Sequence, residues 1–270
     1  MIIDLHVHSV FSDGASHPQD ICYMAKKRRI KVVVTDHDTV AGQKALLKIC
    51  PEVTLPIYAM ERTSKVCIEI DGKCYPAHVN VYCPDEFSWH EVPGRLQDMR
   101  DWASLNGCVL QWNHPFYWFF KVPPWKWRKM AKEGSKLVEA VEVWNGNSTR
   151  IQNFLFPNAW GHRALTKKAL LTGPRGWTAN TDSHLPWHIG LSATYLPIEG
   201  ETFDDFAEAI RKAKPFRMRN NPTVDRLMMV SRWVAPSLKT IMKVIGRGPM
   251  LEWWDPFDPY WAYMREKITS

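Results

Sequence analysis

Short apolar segments alternate with amphipathic stretches through the first 200 residues of the chain. The apolar segments are predicted strands, namely IIDLHV, KVVVTD, TLPIYAM, CVLQWN, LVEAVEVW, GWTANTD and LSATYL. Several are apolar at consecutive positions, which is typical of strands buried on both faces. Helical spacing of apolar residues predicts helices over the ranges 17–29, 40–49, 94–106, 124–133, 148–171 and 202–213. The alternation indicates an α/β fold.

One segment interrupts this alternation. KVCIEIDGKCYPAHVNVY contains two alternating runs around Asp71-Gly72, which predicts a β-hairpin with a tight turn.

The pattern also changes after about residue 215, where RMRNNP has the composition of a linker. Apolar residues at helical spacing follow it, namely Val234, Leu238, Ile241, Met242 and Ile245. We therefore predict a domain over residues 1–215 and a C-terminal extension over 216–270, with a basic amphipathic helix and a tryptophan-rich end.

Composition adds little to this picture, but the charge is regional. The chain has 270 residues, of which 45% are hydrophobic and 23% charged, as in ordinary globular proteins. Between Arg211 and Arg247 the chain has ten basic residues and one acidic residue, so the charge of this segment is +9. The whole chain has a net charge of +7, so the rest of it sums to −2. The tail is therefore the part expected to meet an anionic partner, either nucleic acid or an acidic membrane surface.

Two further features set the expected location. No apolar run of about 18 residues and no basic-then-apolar N-terminal signal is visible, so a cytoplasmic location is expected, with peripheral membrane contact through the tail left open. The cysteines form no CxxC pair and no compact framework, which predicts reduced thiols and disfavours a cysteine zinc site. They are Cys22, Cys50, Cys67, Cys74, Cys83 and Cys108.

Histidines and carboxylates lie at the ends of the predicted strands. They are His6, His8, Asp13, His37, Glu61, His78, His114, Asp182 and His184. Singly, each has an ordinary explanation, such as a hydrogen-bonded histidine or a turn aspartate before glycine. The carboxyl ends of parallel barrel strands meet at one mouth, however, and burying this set together is costly unless divalent cations neutralise the carboxylates and use the imidazole lone pairs.

Spacing within the set supports a metal centre. His6 and His8 are two residues apart on one strand and face the same side, so one ion can bind both, and Asp182 and His184 repeat the arrangement. Nine nitrogen and oxygen ligands suit two or three ions with open positions for water and substrate. The absence of cysteine from the set favours zinc, manganese or iron.

The motifs DLHVHSVFSDG, TDHDT, HVNVY, NHP and TDSH, with the glutamate after the third strand, together resemble the PHP (polymerase and histidinol phosphatase) family of metal-dependent phosphoesterases. The resemblance runs to about residue 200 and implies an enzyme with a distorted, TIM-like (β/α)7 barrel. It also implies three ligand sets: His6, His8, Glu61 and Asp182; Asp13, His37 and His184; and Glu61, His78 and His114, with Glu61 bridging. The polar context AMERTSK and the absence from HVNVYC of the glycine that often follows this histidine in the family leave the substrate specificity open.

This resemblance implies hydrolysis of a phosphate ester by a metal-bridging hydroxide, with the cations relieving negative charge on the phosphoryl oxygens. The candidate catalytic residues are Asp182 and His184, which hold metal, and His188, which could supply the proton to the leaving oxygen. A metal-bound water is the alternative proton source, and a structural role is the alternative for His188.

Substrate contacts are less defined. Arg62 and Arg175 follow or precede predicted strands and could hold a non-scissile phosphate, with plain surface placement as the alternative. Trp118 lies in WNHPFYWFFKVPPWKWRKM, which could stack a nucleobase, pack a loop, or form a membrane-interface belt.

Three functions follow from these features. The first is hydrolysis of a small phosphorylated molecule, a nucleotide or a sugar phosphate. The second is exonuclease or oligonucleotide phosphodiesterase activity. The third is a non-enzymatic metal-binding module that docks at a membrane or a partner. The sequence makes no prediction of the oligomeric state.

Overall fold

The structure is a computed structural model, and it describes residues 1–115, 124–147, 176–200 and 202–219. The chain divides into two compact units, Met1–Asn221 and Pro222–Ser270, and every described residue belongs to the first. The predicted helices over 148–171 and 234–245 lie outside the described residues. Within the described part of the chain, no helix is both long enough and apolar enough to span a bilayer.

Strands and helices alternate as the sequence predicts. The described strands are β1 (Ile2–Val7), β2 (Lys31–Val34), β3 (Tyr58–Arg62), β4 (Cys67–Ile70), β5 (Lys73–Pro76), β6 (His78–Cys83), β7 (Val109–Asn113), β8 (Ala140–Asn145), β9 (Gly176–Asn180), β10 (Ala193–Tyr195) and β11 (Lys214–Arg217). The described helices are α1 (Pro18–Arg28), α2 (Ala41–Ile49), α3 (Leu96–Leu105), α4 (Pro124–Ser135) and α5 (Phe203–Ile210). The predicted α/β class is confirmed, and the fold is a mixed α/β one.

The strands form two larger sheets and one hairpin. One sheet has the order β11-β10-β1-β2, with β1 and β2 parallel, and the other has the order β3-β6-β7-β8-β9, with β7, β8 and β9 parallel. Single parallel bridges, His37 with Glu61 and Val7 with Ser183, link the sheets. Among the described residues no continuous ladder closes these sheets into the predicted seven-stranded barrel. The antiparallel pairing of β6 with both β3 and β7 also departs from an all-parallel barrel.

The helices cover these sheets through apolar side chains. Ile21 of α1 and Leu46 of α2 are fully buried with Val32 of β2 in one cluster. Phe206 of α5 packs with Leu5 of β1 in a second cluster. Burying one such side chain stabilises the fold by about 1.5–3 kcal/mol, and this packing fixes the helices onto the strands that end at the polar cluster.

The predicted hairpin is β4-β5, closed by a two-residue turn. Asp71 and Gly72 have φ values of 52° and 70°, the left-handed conformation that tight hairpin turns require and that Asp-Gly favours. The hairpin connects β3 to β6, so it joins the strand that ends near Glu61 to the strand that begins at His78.

The first unit extends past the predicted boundary at residue 215. Lys214–Arg217 forms β11 and pairs antiparallel with β10. Its alternating exposed positions are those of a sheet edge, and the mixed basic and apolar sequence KPFR carried no strand signal in the sequence. The compact unit ends at Asn221 instead.

The prediction of reduced cysteines is wrong in this structure. All six cysteines pair, as Cys22–Cys50, Cys67–Cys74 and Cys83–Cys108. Two of the pairs join residues 28 and 25 positions apart, on different elements, so spacing along the chain did not reveal them. Disulfides persist mainly in oxidising compartments. The cytoplasmic location stays a prediction, and these pairings weigh against it.

Candidate metal centre

The structure brings the nine predicted histidines and carboxylates together at the ends of β1, β3, β7 and β9, at the start of β6, and in the loops after β1, β2 and β9. The cluster is buried at one side and open at the other. Side chains of His6 and Glu61 are 0% and 1% exposed, whereas those of Asp13, His37 and His184 are 53%, 30% and 29% exposed. Small molecules can therefore approach from the Asp13 side.

Glu61 is the centre of the cluster, and histidines surround both of its oxygens. Its Oε1 lies 3.4 Å from a ring nitrogen of each of three histidines, namely His6, His78 and His114. Its Oε2 lies 3.0 Å from His37 Nδ1 and 3.5 Å from His8 Nε2. One carboxylate thus faces two groups of imidazoles, as a bridging ligand does.

Two aspartates complete the two sides of the cluster. Asp182 Oδ1 lies 3.1 Å from His8 Nε2 and 3.4 Å from His6 Nε2. Asp13 Oδ2 lies 3.2 Å from His184 Nε2 and 3.4 Å from His37 Nε2.

These spacings fit metal ligation. Four ligands arranged tetrahedrally about 2.0–2.1 Å from one zinc ion lie about 3.3 Å from each other, close to the observed nitrogen-to-oxygen distances. His37 Nδ1, moreover, is buried and makes no hydrogen bond, although Glu61 Oε2 is 3.0 Å away. The donor set, imidazole nitrogen with carboxylate oxygen, also suits divalent transition metals.

Ligand atoms in four overlapping groups lie within 4.8 Å of one another. The groups are His8, Asp13, His37 and His184; Glu61, His78 and His114; His6, His8 and Glu61; and His6, His114 and Asp182. The resemblance implied a set of Asp13, His37 and His184, and the structure adds His8 to it. The implied set of Glu61, His78 and His114 is found unchanged. The fourth group joins His114 to His6 and Asp182, which the resemblance did not imply. The assignment of residues to individual ions stays a prediction.

The charges within the cluster compensate one another. Burial alone would raise the pKa of Glu61 and of Asp182, but the histidines around them, His6 foremost, hold both values well below the usual range. Burial alone would lower the pKa of His37 and His184, but their carboxylate partners raise these values to about 10 and about 9. Glu61 and Asp182 are therefore ionised at neutral pH and can bind cations.

Backbone strain marks two of the strand ends. His114, after β7, has a φ of 23°, and Asp182, after β9, has a φ of 49°. Residues other than glycine rarely adopt this left-handed region, and such strain concentrates at functional sites. Both residues contribute ligand atoms to the cluster.

Sequence reasoning missed a layer of buried polar residues behind the cluster. Asn113 Nδ2 donates to Glu61 Oε1 at 2.8 Å and to Asn80 Oδ1 at 2.7 Å. Glu142, fully buried in β8, accepts a hydrogen bond from His6 Nδ1 at 3.1 Å. A signal was present, because a glutamate interrupts the apolar run of VEVWN and asparagine ends β7, β8 and β9.

The other predicted site residues are placed differently. Arg62 is buried, and its guanidinium donates to Asp38 Oδ1 at 2.7 Å and to the Ser64 carbonyl at 2.8 Å. These bonds shape the loop after β3, which is an ordinary structural role, and phosphate binding by Arg62 stays a prediction. Trp118 and Arg175 lie outside the described residues.

His188 fits the role of proton donor poorly. It ends a short 3-10 helix, Pro186–His188, and is 4% exposed. Burial, with the nearby positive charges of His184 and Arg28, lowers the pKa of His188 to about 4. A general acid works best with a pKa near the operating pH, and a neutral His188 does not meet this condition. Its catalytic role stays a prediction.

Comparisons with known proteins agree with this architecture. A family model described as PHP-associated matches residues 176–215. This short match confirms the resemblance to the PHP family that the motifs predicted. No curated protein matches the chain in sequence.

Solved structures share the fold at low sequence identity. PsfC from Pseudomonas syringae PB-5123 is 16% identical with a TM-score of 0.56, and the match covers 88% of this chain and 98% of that one. An amidohydrolase from Chromobacterium violaceum, solved with bound sulfate and no metal, is 15% identical with a TM-score of 0.50, over 79% and 97%. At these identities the likeness concerns the fold alone.

Proposed function

Starting from its resemblance to the PHP family, we propose that the chain is a metal-dependent hydrolase of phosphate esters that acts on a small phosphorylated molecule of the nucleotide or sugar phosphate class. The arrangement around Glu61 carries this proposal, since one buried carboxylate faces five histidine nitrogens at 3.0–3.5 Å. A histidine pair with a purely structural role would not need five imidazole nitrogens around one buried carboxylate.

Two or three divalent ions, of zinc, manganese or iron, are the proposed cofactors. The His8, Asp13, His37 and His184 group would hold one ion on the open side, and the ligand atoms around Glu61 and Asp182 would hold the remaining ion or ions on the buried side. When bound, such ions supply an acidified water as nucleophile and neutralise charge on phosphoryl oxygens.

The side chains of the chain itself orient this chemistry. The surrounding histidines keep Glu61 and Asp182 ionised although both are buried, so the centre keeps two negatively charged ligands. Asp13 is the most exposed ligand, at 53%, and therefore lies where a phosphate group would enter. The burial of His6 and His114 excludes water from the opposite side.

A direct test is phosphate release by the purified full-length chain with its metals counted. The panel contains nucleotides, sugar phosphates and short oligonucleotides, and the test variant is Asp182→Asn. The matched control is Glu139→Gln, which changes a buried glutamate that pairs with Arg100 away from the cluster. We expect activity on a small phosphate ester that is lost in Asp182→Asn and kept in the control.

Each other outcome contradicts the proposal. Cleavage of oligonucleotides alone would indicate a phosphodiesterase instead. Metal-replete inactivity across the panel would indicate a docking module. Full activity in Asp182→Asn would refute the metal centre as the active site. Nucleic-acid or membrane contact through the basic C-terminal extension, residues 216–270, is a separate prediction, for which co-sedimentation with anionic liposomes or with DNA is the measurement.

A further inference from the structure

Glu142 occupies an unusual place behind the metal centre. It lies in the middle of β8, is completely buried, and forms no ion pair with lysine or arginine among the described residues. A buried carboxylate without such a partner is costly unless hydrogen bonds satisfy its oxygens. The donors that satisfy Glu142 therefore reveal its role.

Four hydrogen bonds converge on this carboxylate. Oε1 accepts from His6 Nδ1 at 3.1 Å and from Asn180 Nδ2 at 3.1 Å. Oε2 accepts from the His114 backbone N–H at 2.9 Å and from Asn145 Nδ2 at 2.9 Å. Both oxygens are thus fully used, and each one contacts a residue of the metal cluster.

The bond to His6 determines which ring nitrogen can bind a metal. A carboxylate only accepts, so His6 Nδ1 must carry the hydrogen. In the neutral imidazole that a metal requires, the lone pair then lies on His6 Nε2, which faces Glu61 Oε1 and Asp182 Oδ1 at 3.4 Å each. A carboxylate behind a metal-binding histidine fixes the tautomer and the ring orientation in this way.

The bonds on Oε2 reach two further ligands. The His114 N–H bond anchors the residue whose φ is 23°, so it holds the strained backbone that directs the imidazole toward Glu61. Asn145 Nδ2 bonds to Glu142 Oε2 and also to Asp182 Oδ2 at 3.1 Å. Glu142 therefore reaches Asp182 through one asparagine.

These contacts coincide with one ligand group. His6, His114 and Asp182 form one of the four groups whose atoms lie within 4.8 Å of one another, and Glu142 contacts two of the three directly and the third through Asn145. We propose that Glu142 is the positioning residue of the His6–His114–Asp182 metal site. This inference rests on the proposed metal centre but is independent of the substrate.

The test of this assignment is the zinc affinity of the Glu142→Gln variant, measured by competition with a chelator. Glutamine has nearly the same volume, but its amide places a donor against the donors that Glu142 now satisfies. We expect the zinc affinity of one site per chain to fall about 10–100-fold, as is typical when such an outer partner is lost. Glu139→Gln, three residues earlier and also buried, is expected to keep wild-type affinity at every site. Equal zinc affinities in both variants would overturn the proposal.

A second measurement uses the unmodified protein, in case Glu142→Gln fails to fold. Nitrogen NMR of the zinc-loaded chain is expected to show His6 with a proton on Nδ1 and zinc on Nε2. Zinc on Nδ1 would refute the role of Glu142. Failure of the proposed function is distinguishable from both results, since a wild-type chain that binds no zinc, or binds zinc without releasing phosphate, contradicts that proposal instead.

Discussion

Glu61 and His37 meet at the metal centre, where their backbones join the two large sheets and their side chains lie next to each other. Their backbones form an isolated parallel bridge between β3 and the segment after β2, while His37 Nδ1 lies 3.0 Å from Glu61 Oε2. The Asp38 N–H also donates to the Glu61 carbonyl at 2.9 Å. Glu61 therefore lies at the position where the two large sheets meet.

Glu61→Gln is expected to remove at least one ion per chain. The amide keeps the shape of the side chain but loses the negative charge that five histidine nitrogens face, and it can offer only one acceptor oxygen. Loss of a residue behind a metal ligand typically lowers activity by about 10–100-fold. Glu61 is itself a proposed ligand, so we expect phosphate release to fall by more than about 100-fold. Metal counting on the purified variant, beside Glu139→Gln, checks the prediction. A full metal complement in Glu61→Gln would contradict it.

Metal binding is expected to release protons. In the metal-free chain, the raised pKa values of His37 and His184, about 10 and about 9, keep both imidazoles protonated near neutral pH. A metal needs the lone pair that each proton occupies, so affinity should rise with pH up to this range. Zinc titrations by calorimetry in two buffers of different ionisation enthalpy measure the release. Identical heats in the two buffers would be incompatible with this prediction, and His37→Gln should release fewer protons.

Local patterns predicted much of this molecule, and contacts distant in sequence account for what was missed. His6 and His8 were recognised because a two-residue period places them on one face of β1. Glu142 was missed because its partner His6 lies 136 positions earlier, and only the strand order brings them together. The hairpin at Asp71-Gly72 was predicted from adjacent residues, whereas closure of a barrel depends on pairing between strands that are remote along the chain.

The disulfides are expected to contribute measurably to stability. Cys22–Cys50 links α1 to the end of α2 across 28 positions, and closing a loop of that length stabilises the folded state by about 3.5 kcal/mol in the chain-entropy model. We expect the double variant Cys22→Ser/Cys50→Ser to unfold at a correspondingly lower urea concentration. Thiol titration of the denatured, unreduced wild type should find none of the six thiols free. Six free thiols would show that the pairs do not form in solution.

His188 is expected to make the chain acid-sensitive. Its pKa is lowered to about 4 by burial and by the charges of His184 and Arg28, whereas an unfolded histidine titrates near 6.5. The folded state therefore favours neutral His188, so this contribution is fully present above about pH 6.5 and is lost as the pH falls toward 4. The loss amounts to at most about 3 kcal/mol. Urea unfolding at several pH values should show a weaker dependence between pH 6.5 and 4 in His188→Gln than in wild type. His90→Gln, at an exposed position, should retain the wild-type dependence, and an equal slope in all three proteins would show that His188 does not set the acid sensitivity.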